Sequence, residues 1–526
     1  MATTHDGPAT VERFDAASLE RLARRVTVAA ERDALTVDCP FTGGPLGQVP
    51  RGTADDVAEA TGRARRARPG WGALPVTERA DVVLRFHDLL LDRRDEALDL
   101  VQLETGKTRL DAVEELLDAA NTARYHARTA GTHLRPRRRR GALPALTATW
   151  EHRRPLGVVG VICPWNYPLT LAVSDAVPAL LAGNAVIAKP DARAPFSCLW
   201  GAELLGQAGL PDDVLQVVTG EGAVVGPAVV DHVDHVAFTG SAATGRAVAA
   251  RAAPRLVGTS LELGGKNAMI VLADADLDRA VAGAVRGCFA NAGQLCISTE
   301  RLFVHRSVAD RFVDRLVART RGLALGAGLH HGFDVGPLAS AAQLARVTRH
   351  VEDATAAGAT VLVGGRPRPD LGPWFFEPTL LAGVTDDMVV ADEETFGPVA
   401  SVWPFDSIDE VVARANASRY GLSLSVWTRD TRRGRALAAD LQVGAVNVNE
   451  AYAATWGSSD APVGGVKDSG TGRRHGAAGL LRFTAAQTVS VQRLLPLAAP
   501  PGLDPATYTR LMAGALRLLR RLPGAR

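Results

Sequence analysis

The sequence predicts an α/β protein built from two doubly wound domains, each a mainly parallel sheet with helices on both faces. Two alternations predict it. Short apolar runs rich in valine and isoleucine alternate with amphipathic helical stretches between residues 156 and 252, and a second series of the same kind runs from 266 to 450. Buried strands that alternate with helices imply βαβ units and parallel pairing. Length adds a third observation: 526 residues suffice for several units of about 150 residues each.

The elements follow in order. Residues 8–50 are mixed, and Cys39-Pro40-Phe41-Thr42-Gly43-Gly44-Pro45 reads as a turn. From about 53 to 131 apolar residues recur at three and four (Val82, Val83, Phe86, Leu89, Leu90), a helical period. Arg135-Pro136-Arg137-Arg138-Arg139-Arg140 breaks that pattern and reads as a solvated loop, with a nucleic-acid or lipid patch as the alternative, and 146–151 (LTATWE) alternates like a strand. In the first series, strands are expected at Val158–Cys163, Ala185–Lys189, Leu215–Val218 and His235–Thr239, with helices over 169–182, 195–208, 222–230 and 242–252. The second series places strands near Ala268–Leu272, Arg301–Val304, Val399–Pro404, Leu424–Trp427 and Ala445–Asn449. Pro496–Pro505 is proline-rich. A basic helix over 507–522 follows, with Leu511, Ala515, Leu518 and Leu522 on one side; it is expected to dock on the protein itself, with a membrane surface as the alternative.

Composition excludes several classes. A net charge of +2 lacks the basic field that nucleic acid needs. No apolar run reaches ~18 residues, so no transmembrane helix is expected. The N-terminus (MATTHDGPATVERFD) has no basic start followed by an apolar stretch, so no secretory signal is expected. Five cysteines are too few for a disulfide scaffold, and the odd number leaves a free thiol, which together point to a cytoplasmic enzyme. Only Lys107, Lys189, Lys266 and Lys467 are lysine among 59 basic residues. Codon bias is the main reading of this imbalance; because a compact ammonium and a planar guanidinium are not interchangeable, the retained lysines are expected slightly more often at places where arginine fails.

Several residues could carry chemistry. Cys296, in Gly293-Gln294-Leu295-Cys296-Ile297-Ser298, follows a stretch of small residues and is the candidate nucleophile; Cys39, Cys163, Cys198 and Cys288 sit in a turn, a strand end and helices. No Cys-x-x-Cys spacing indicates a metal, and His232 and His235 with Asp231 and Asp234 read as a polar surface joint, so no metal site is expected. Glu262, between two leucines and before Gly264-Gly265, has the apolar flanks that raise a carboxyl pKa, as a general base requires; a salt-bridged structural role remains the alternative. Glu394 in Glu394-Thr395-Phe396-Gly397-Pro398 is similar. A Gly-x-Gly-x-x-Gly fingerprint is absent, but Phe238-Thr239-Gly240-Ser241 runs from a strand into a helix, where backbone N–H groups can face a phosphate.

Six motifs occur in order: Pro164-Trp165-Asn166-Tyr167-Pro168, Lys189-Pro190, Phe238-Thr239-Gly240-Ser241, Glu262-Leu263-Gly264-Gly265-Lys266, Gly293-Gln294-Leu295-Cys296 and Glu394-Thr395-Phe396-Gly397-Pro398. In sequence and spacing they resemble the aldehyde dehydrogenase superfamily over about residues 35–495. Within it the chain is most similar to the actinobacterial NADP-dependent succinate-semialdehyde dehydrogenases, through Val173-Ser174-Asp175, Lys189-Pro190-Asp191 and Gly472-Arg473-Arg474-His475-Gly476.

The resemblance implies an aldehyde dehydrogenase-like fold: a dinucleotide-binding domain of residues 1–132 and 155–265, to which 450–477 return, a catalytic domain of 266–449, oligomerisation strands in 133–154 and 478–497, and a tail of 498–526. It implies NAD(P)-dependent oxidation of an aldehyde to an acid. Cys296 would be the nucleophile, Asn166 an oxyanion donor together with the Cys296 backbone N–H, and Glu262 the base for water. The cofactor would be NADP, with NAD possible, contacted by Trp165, Asn166, Lys189, Pro190, Asp191, Ala192, Gly240, Ser241, Leu263, Glu394 and Phe396. Relatives preferring NAD carry glutamate where this chain has Ala192, and without that carboxylate Lys189 and Arg193 could pair a 2′-phosphate. Succinic semialdehyde is the substrate by resemblance, with a broad-specificity aliphatic or aromatic aldehyde dehydrogenase as the alternative. Tyr167, Leu171, Trp456, Ser458 and Val463 are pocket candidates, and Arg286 is a candidate cation for a substrate carboxylate. Many relatives have an aromatic and a basic residue where this chain has Ser174 and Asp175. Glu262 argues against transfer of the acyl group to coenzyme A. A binding protein reusing the fold would lack Cys296, Glu262 or Asn166, and all three are present. A homodimer or homotetramer is implied, paired through 146–151 and Val489–Leu495.

Overall fold

The computed structural model describes residues 14–141, 147–493 and 498–521. Residues 1–13 of the stretch read for a signal, Leu146, Leu494, Leu495, part of the proline-rich segment and Leu522 lie outside them. Two compact units are present, one of residues up to His133 with Pro155–Thr484, the other of Leu134–Arg154 with the chain from Ala485 onward.

The larger unit holds both predicted sheets. The first orders its strands Leu215–Val217, Ala185–Lys189, Val158–Ile162, His235–Gly240, Gly258–Leu263, all parallel. Val158–Ile162 and Ala185–Lys189 are buried at every position, as a sheet covered on both faces requires. Strand order reverses between Val158–Ile162 and His235–Gly240. Connections leave these neighbours in opposite directions, which opens a crevice at their carboxyl ends, the usual ligand position in such sheets. Gly258–Leu263 joins this sheet although its sequence shows no strand run; its last residues belong to the Glu262 motif.

The second sheet has seven strands, in the order Thr360–Val363, Thr379–Ala382, Val399–Phe405, Thr299–His305, Asn267–Val271, Ser423–Trp427, Ala445–Val448. All pairs are parallel except the first, and the helices Leu277–Phe289, Arg306–Arg321 and Ala341–Ala356 pack their apolar faces into its core. The segment 450–477 reaches the first sheet, where Gly470 bridges Glu262, and its Val466–Lys467 forms a separate two-stranded sheet with Tyr420–Gly421.

Three expectations are corrected. Arg137–Arg140 is no loop: it forms a strand antiparallel to Thr147–Pro155, where Arg139 pairs with Glu151 and Arg138 lies over the Trp150 ring, so four solvated arginines still fit on a sheet edge. His235 is not at a polar surface joint; it opens a central strand and is buried against Ser260 and the Phe483 ring. The helix Pro505–Arg521 has no buried residue, and Leu511, Leu516 and Leu518 stay exposed rather than docked. No helix among the described residues is long and apolar enough to cross a membrane.

Candidate active site

Cys296 sits in a loop built to hold it. After helix Leu277–Phe289, Asn291, Ala292 and Gly293 take left-handed conformations in succession, at φ 51°, 53° and 71°. Gly293 is required there, because a Cβ would stand 2.0 Å from the Gly397 carbonyl oxygen. The Asn267 amide then donates to the carbonyls of Cys296 and Ser298, both at 2.8 Å, pinning the loop to the amino end of the second sheet.

Asn166 arrives from the other sheet, in the turn between Val158–Ile162 and helix Pro168–Leu181. It is buried, and its amide donates to the Gln294 carbonyl at 3.0 Å, two residues from Cys296. Its second amide hydrogen is not used in that bond, and Asn166 lines the same cavities as Cys296. Glu262 ends its strand buried, with Oε1 lacking any hydrogen-bond partner, and burial raises its pKa. Glu394 is half-buried and accepts from the Gly265 N–H at 2.9 Å; desolvation first and then Glu300 push its carboxyl to about 8. Burial, aided by the Glu394 and Glu262 charges and opposed by Arg474, pushes the Cys296 thiol to about 12. The resting thiol is therefore protonated.

Three cavities meet around these residues. The first, about 440 Å³, is lined by apolar and aromatic side chains (Tyr167, Leu171, Tyr452, Trp456) together with Glu114 and Asp118. The second, about 270 Å³, holds Trp165, Glu262, Leu263, Glu394 and Phe396. Cys296, Asn166 and Leu171 line both, so the thiol stands in the wall between them. The third, about 710 Å³, shares Trp165, Gly240 and Ser241 with the second and continues along the carboxyl end of the first sheet past Lys189, Asp191 and Arg193.

The last two cavities suit an extended dinucleotide. The Lys189 ammonium is buried and makes no hydrogen bond with any described residue, and Ser241 caps helix Ala242–Ala252, whose first N–H groups border the same space. Trp165 and Phe396 meet edge to face at 5.5 Å. Of the expected cofactor residues, Trp165, Asn166, Lys189, Asp191, Gly240, Ser241, Leu263, Glu394 and Phe396 line these cavities. Pro190 and Ala192 do not; they lie in the turn between Lys189 and Arg193, whose guanidinium pairs with Asp191 and lies over Trp165.

Other expectations fail. Ser458 and Val463 do not line the first cavity: the Ser458 hydroxyl donates to Ala454, and Val463 is buried in a bridge to Arg474. Arg286 is not a free cation, since Asp111 and Glu114 both pair with it. No lysine or arginine lines the first cavity among the described residues.

Sequence reasoning missed the supports. Lys107 pairs with buried Glu115, which accepts from the Leu169 and Thr170 N–H groups at the start of the helix after Asn166. Lys266 pairs with Glu300, which accepts from the N–H groups of Thr395 and Phe396 and so holds the Glu394 turn. The scarcity of lysine was the available signal. Asp175 pairs with Arg474 and Arg482, and nothing in the spacing of these three residues indicates that they meet.

Comparison with known proteins agrees with this geometry. The pattern of the aldehyde dehydrogenase family matches residues 27–489. A Mycolicibacterium smegmatis protein named "Putative succinate-semialdehyde dehydrogenase, NADP(+)" is 50% identical over 493 residues, covering 94% of this chain and 95% of its own length. A Mycobacterium tuberculosis protein, named likewise with the suffix 2, is 47% identical over 515 residues, covering 98% and 99%. Among solved structures, an "E. coli NADP dependent enzyme" superposes with a TM-score of 0.86 at 35% identity, covering 90% of this chain and 99% of that one.

Proposed function

This chain belongs to the aldehyde dehydrogenase family, and on that premise we propose that it oxidises succinic semialdehyde to succinate with NADP, through a thioester on Cys296. The observation that carries the chemistry is the position of Cys296 and Asn166 in the wall shared by the two inner cavities. A substrate in the first cavity and a cofactor in the second would both reach the sulfur.

Cys296 gives its proton to Glu262, which releases it to solvent, and Sγ attacks the aldehyde carbon; the Asn166 amide with the Cys296 backbone N–H donates to the resulting oxyanion, and one such donor is commonly worth about 10²–10³ in rate. The nicotinamide cofactor, when bound, supplies the hydride acceptor, and Lys189, Ser241, Trp165, Glu394 and Phe396 would hold it. Glu262, buried and unpaired, then takes a proton from the water that opens the thioester. The preference for NADP rests on the relatives' names, on Ala192 in place of a carboxylate, and on Lys189 and Arg193 beside the third cavity. A cytoplasmic homo-oligomer is part of the same reading, supported by five free cysteines and by the exposed strands Arg137–Arg140 and Thr484–Gln492.

A second reading has an observation of its own. Among the described residues the first cavity presents Glu114 and Asp118 and no cation, which favours neutral aliphatic or aromatic aldehydes over one bearing a carboxylate. Nucleotide reduction followed by absorbance, with succinic semialdehyde, benzaldehyde and an alkanal against NADP and NAD, tests both. A kcat/KM at least about tenfold higher for succinic semialdehyde with NADP, corresponding to ~1.4 kcal/mol, supports the first. Faster turnover of the neutral aldehydes supports the second, and full activity of Cys296→Ala overturns the mechanism.

A further inference from the structure

A buried charge cluster lies behind Glu262. Asp175, on helix Pro168–Leu181, accepts from Arg474 Nε at 3.2 Å and Nη2 at 2.8 Å and also pairs with Arg482. Burial would raise its carboxyl, but the two guanidinium groups outweigh it and hold it at about 2. Two arginines and one aspartate leave one net positive charge, away from solvent. Arg474 also donates to Thr239 Oγ1 at 2.5 Å, and Thr239 is the register partner of Glu262 on the adjacent strand. The chain leading to Arg474 lies along the Glu262 strand: the N–H groups of Thr471 and Gly472 donate to Leu261, and a Cβ on Gly472 would stand 2.8 Å from Glu262 Oε1.

We propose that Arg474, clamped by Asp175, is a positioning residue whose guanidinium is the counter-charge for Cys296 and Glu262 as each carries negative charge in turn. The inference rests on the reading of Cys296 as nucleophile and Glu262 as base. During hydrolysis the water oxygen bonds to the acyl carbon, the carbon–sulfur bond breaks, one water proton passes to Glu262, and Cys296 leaves as a thiolate. One negative charge therefore moves from Glu262 to Cys296, with no net change. A single fixed positive charge matches it throughout.

The surrounding groups are consistent with this assignment. Thr239, to which Arg474 donates, lines the second cavity together with Glu262 and Cys296; the charges within electrostatic range of Cys296 are Glu394, Arg474 and Glu262, and those of Glu262 are Arg474, Arg482, Asp175 and Arg473. Arg473 is committed to the carbonyls of Gly465 and Gly472, and burial keeps His475 neutral, at about 4. Arg474 is the cation acting on both reacting groups.

The test needs no nucleotide. Cys296 is the one cysteine not fully buried, so its alkylation by iodoacetamide against pH reads the thiolate. Acylation with p-nitrophenyl acetate, then decay of the acyl enzyme against pH, reads Glu262. A charge at close range shifts a pKa by about 1–3 units. Arg474→Gln should move both profiles to higher pH by about one unit or more, Arg474→Lys should restore them, and Asp175→Asn, which removes a negative charge, should move them to lower pH. Shifts of the same sign in Arg474→Gln and Asp175→Asn, or no shift in either, overturn the inference. If Arg474→Gln does not fold, a shift to lower pH in Asp175→Asn with Arg474→Lys at the wild-type position supports the inference, and the absence of that downward shift overturns it. Alkylation unchanged in Cys296→Ala, or full-rate acyl-enzyme decay in Glu262→Gln, overturns the underlying reading instead.

Discussion

Lys107 donates to the backbone carbonyl of Asn166 at 2.8 Å, from a position whose side chain has no exposure to solvent. Its ammonium also stands 3.5 Å from the centre of the Tyr167 ring. The turn that aims the oxyanion donor is therefore held from beneath by a point charge, while Glu115 holds the first N–H groups of the following helix. Three partners around one point, the Asn166 carbonyl, the Glu115 carboxylate and the Tyr167 ring face, suit a compact ammonium better than a planar fork.

Lys107→Met should lower kcat by about 10²-fold, the scale of losing one oxyanion donor. It should also destabilise the protein by about 3–5 kcal/mol, because Glu115 is left charged and buried. Adding Glu115→Gln keeps an acceptor for the Leu169 N–H while removing the stranded charge. The double variant should regain most of the stability and little of the kcat. Recovery of both would show that Lys107 serves folding alone.

Asp118 gives the first cavity a switchable charge. Burial raises its carboxyl to about 7, against a hydrogen bond from the Thr170 hydroxyl. It is neutral below that pH and repels an anionic substrate above it. KM for succinic semialdehyde should rise between pH 6 and 8 while KM for an alkanal stays flat. Asp118→Asn should abolish the rise, with a gain of up to about tenfold, or 1.4 kcal/mol, at pH 8. Identical KM profiles for the two substrates would place Asp118 away from the substrate.

The unequal legibility of the chain has physical causes. Val158–Ile162 and Ala185–Lys189 show in the sequence because a strand covered on both faces must be apolar at every position. Gly258–Leu263 does not, since it carries Glu262 into the site and opens with Gly258-Thr259-Ser260. Cys296, Asn166 and Glu262 are legible through motifs whose local spacing is set by turns. Lys266–Glu300 and Asp175–Arg474 join elements 34 and 299 residues apart, and no local pattern records such contacts; Lys107–Glu115 spans only 8 residues, but the Asn166 turn it supports lies on another element.

His126 offers a stability test with a definite sign. It is buried in helix Arg109–Leu134, its Nδ1 has no hydrogen-bond partner, and burial with nearby His475 and Arg482 depresses its pKa to about 3. The folded state holds it neutral, while the unfolded chain protonates it near 6.5. Its contribution is thus present above pH 6.5 and is lost as pH falls towards 3, at about 1.4 kcal/mol per pH unit. Urea unfolding at pH 7.5 and 5.0 should show the wild type losing about 2 kcal/mol more than His126→Gln. Equal losses would mean that His126 reaches solvent.

Gly264 tests whether Glu394 must be fixed in place. A Cβ at Gly264 would stand 2.1 Å from Glu394 Oε2, so Gly264→Ala must displace that carboxylate and break its hydrogen bond from the Gly265 N–H. The clash is with the end of a side chain rather than with backbone, so the fold should survive. KM for NADP should rise about tenfold or more, equivalent to ~1.4 kcal/mol of lost binding, while iodoacetamide still reaches Cys296. The Glu394 charge raises the Cys296 thiol, so moving it away should also shift the alkylation profile to lower pH. A profile that shifts without a change in KM would assign Glu394 to the thiol and remove it from the cofactor site.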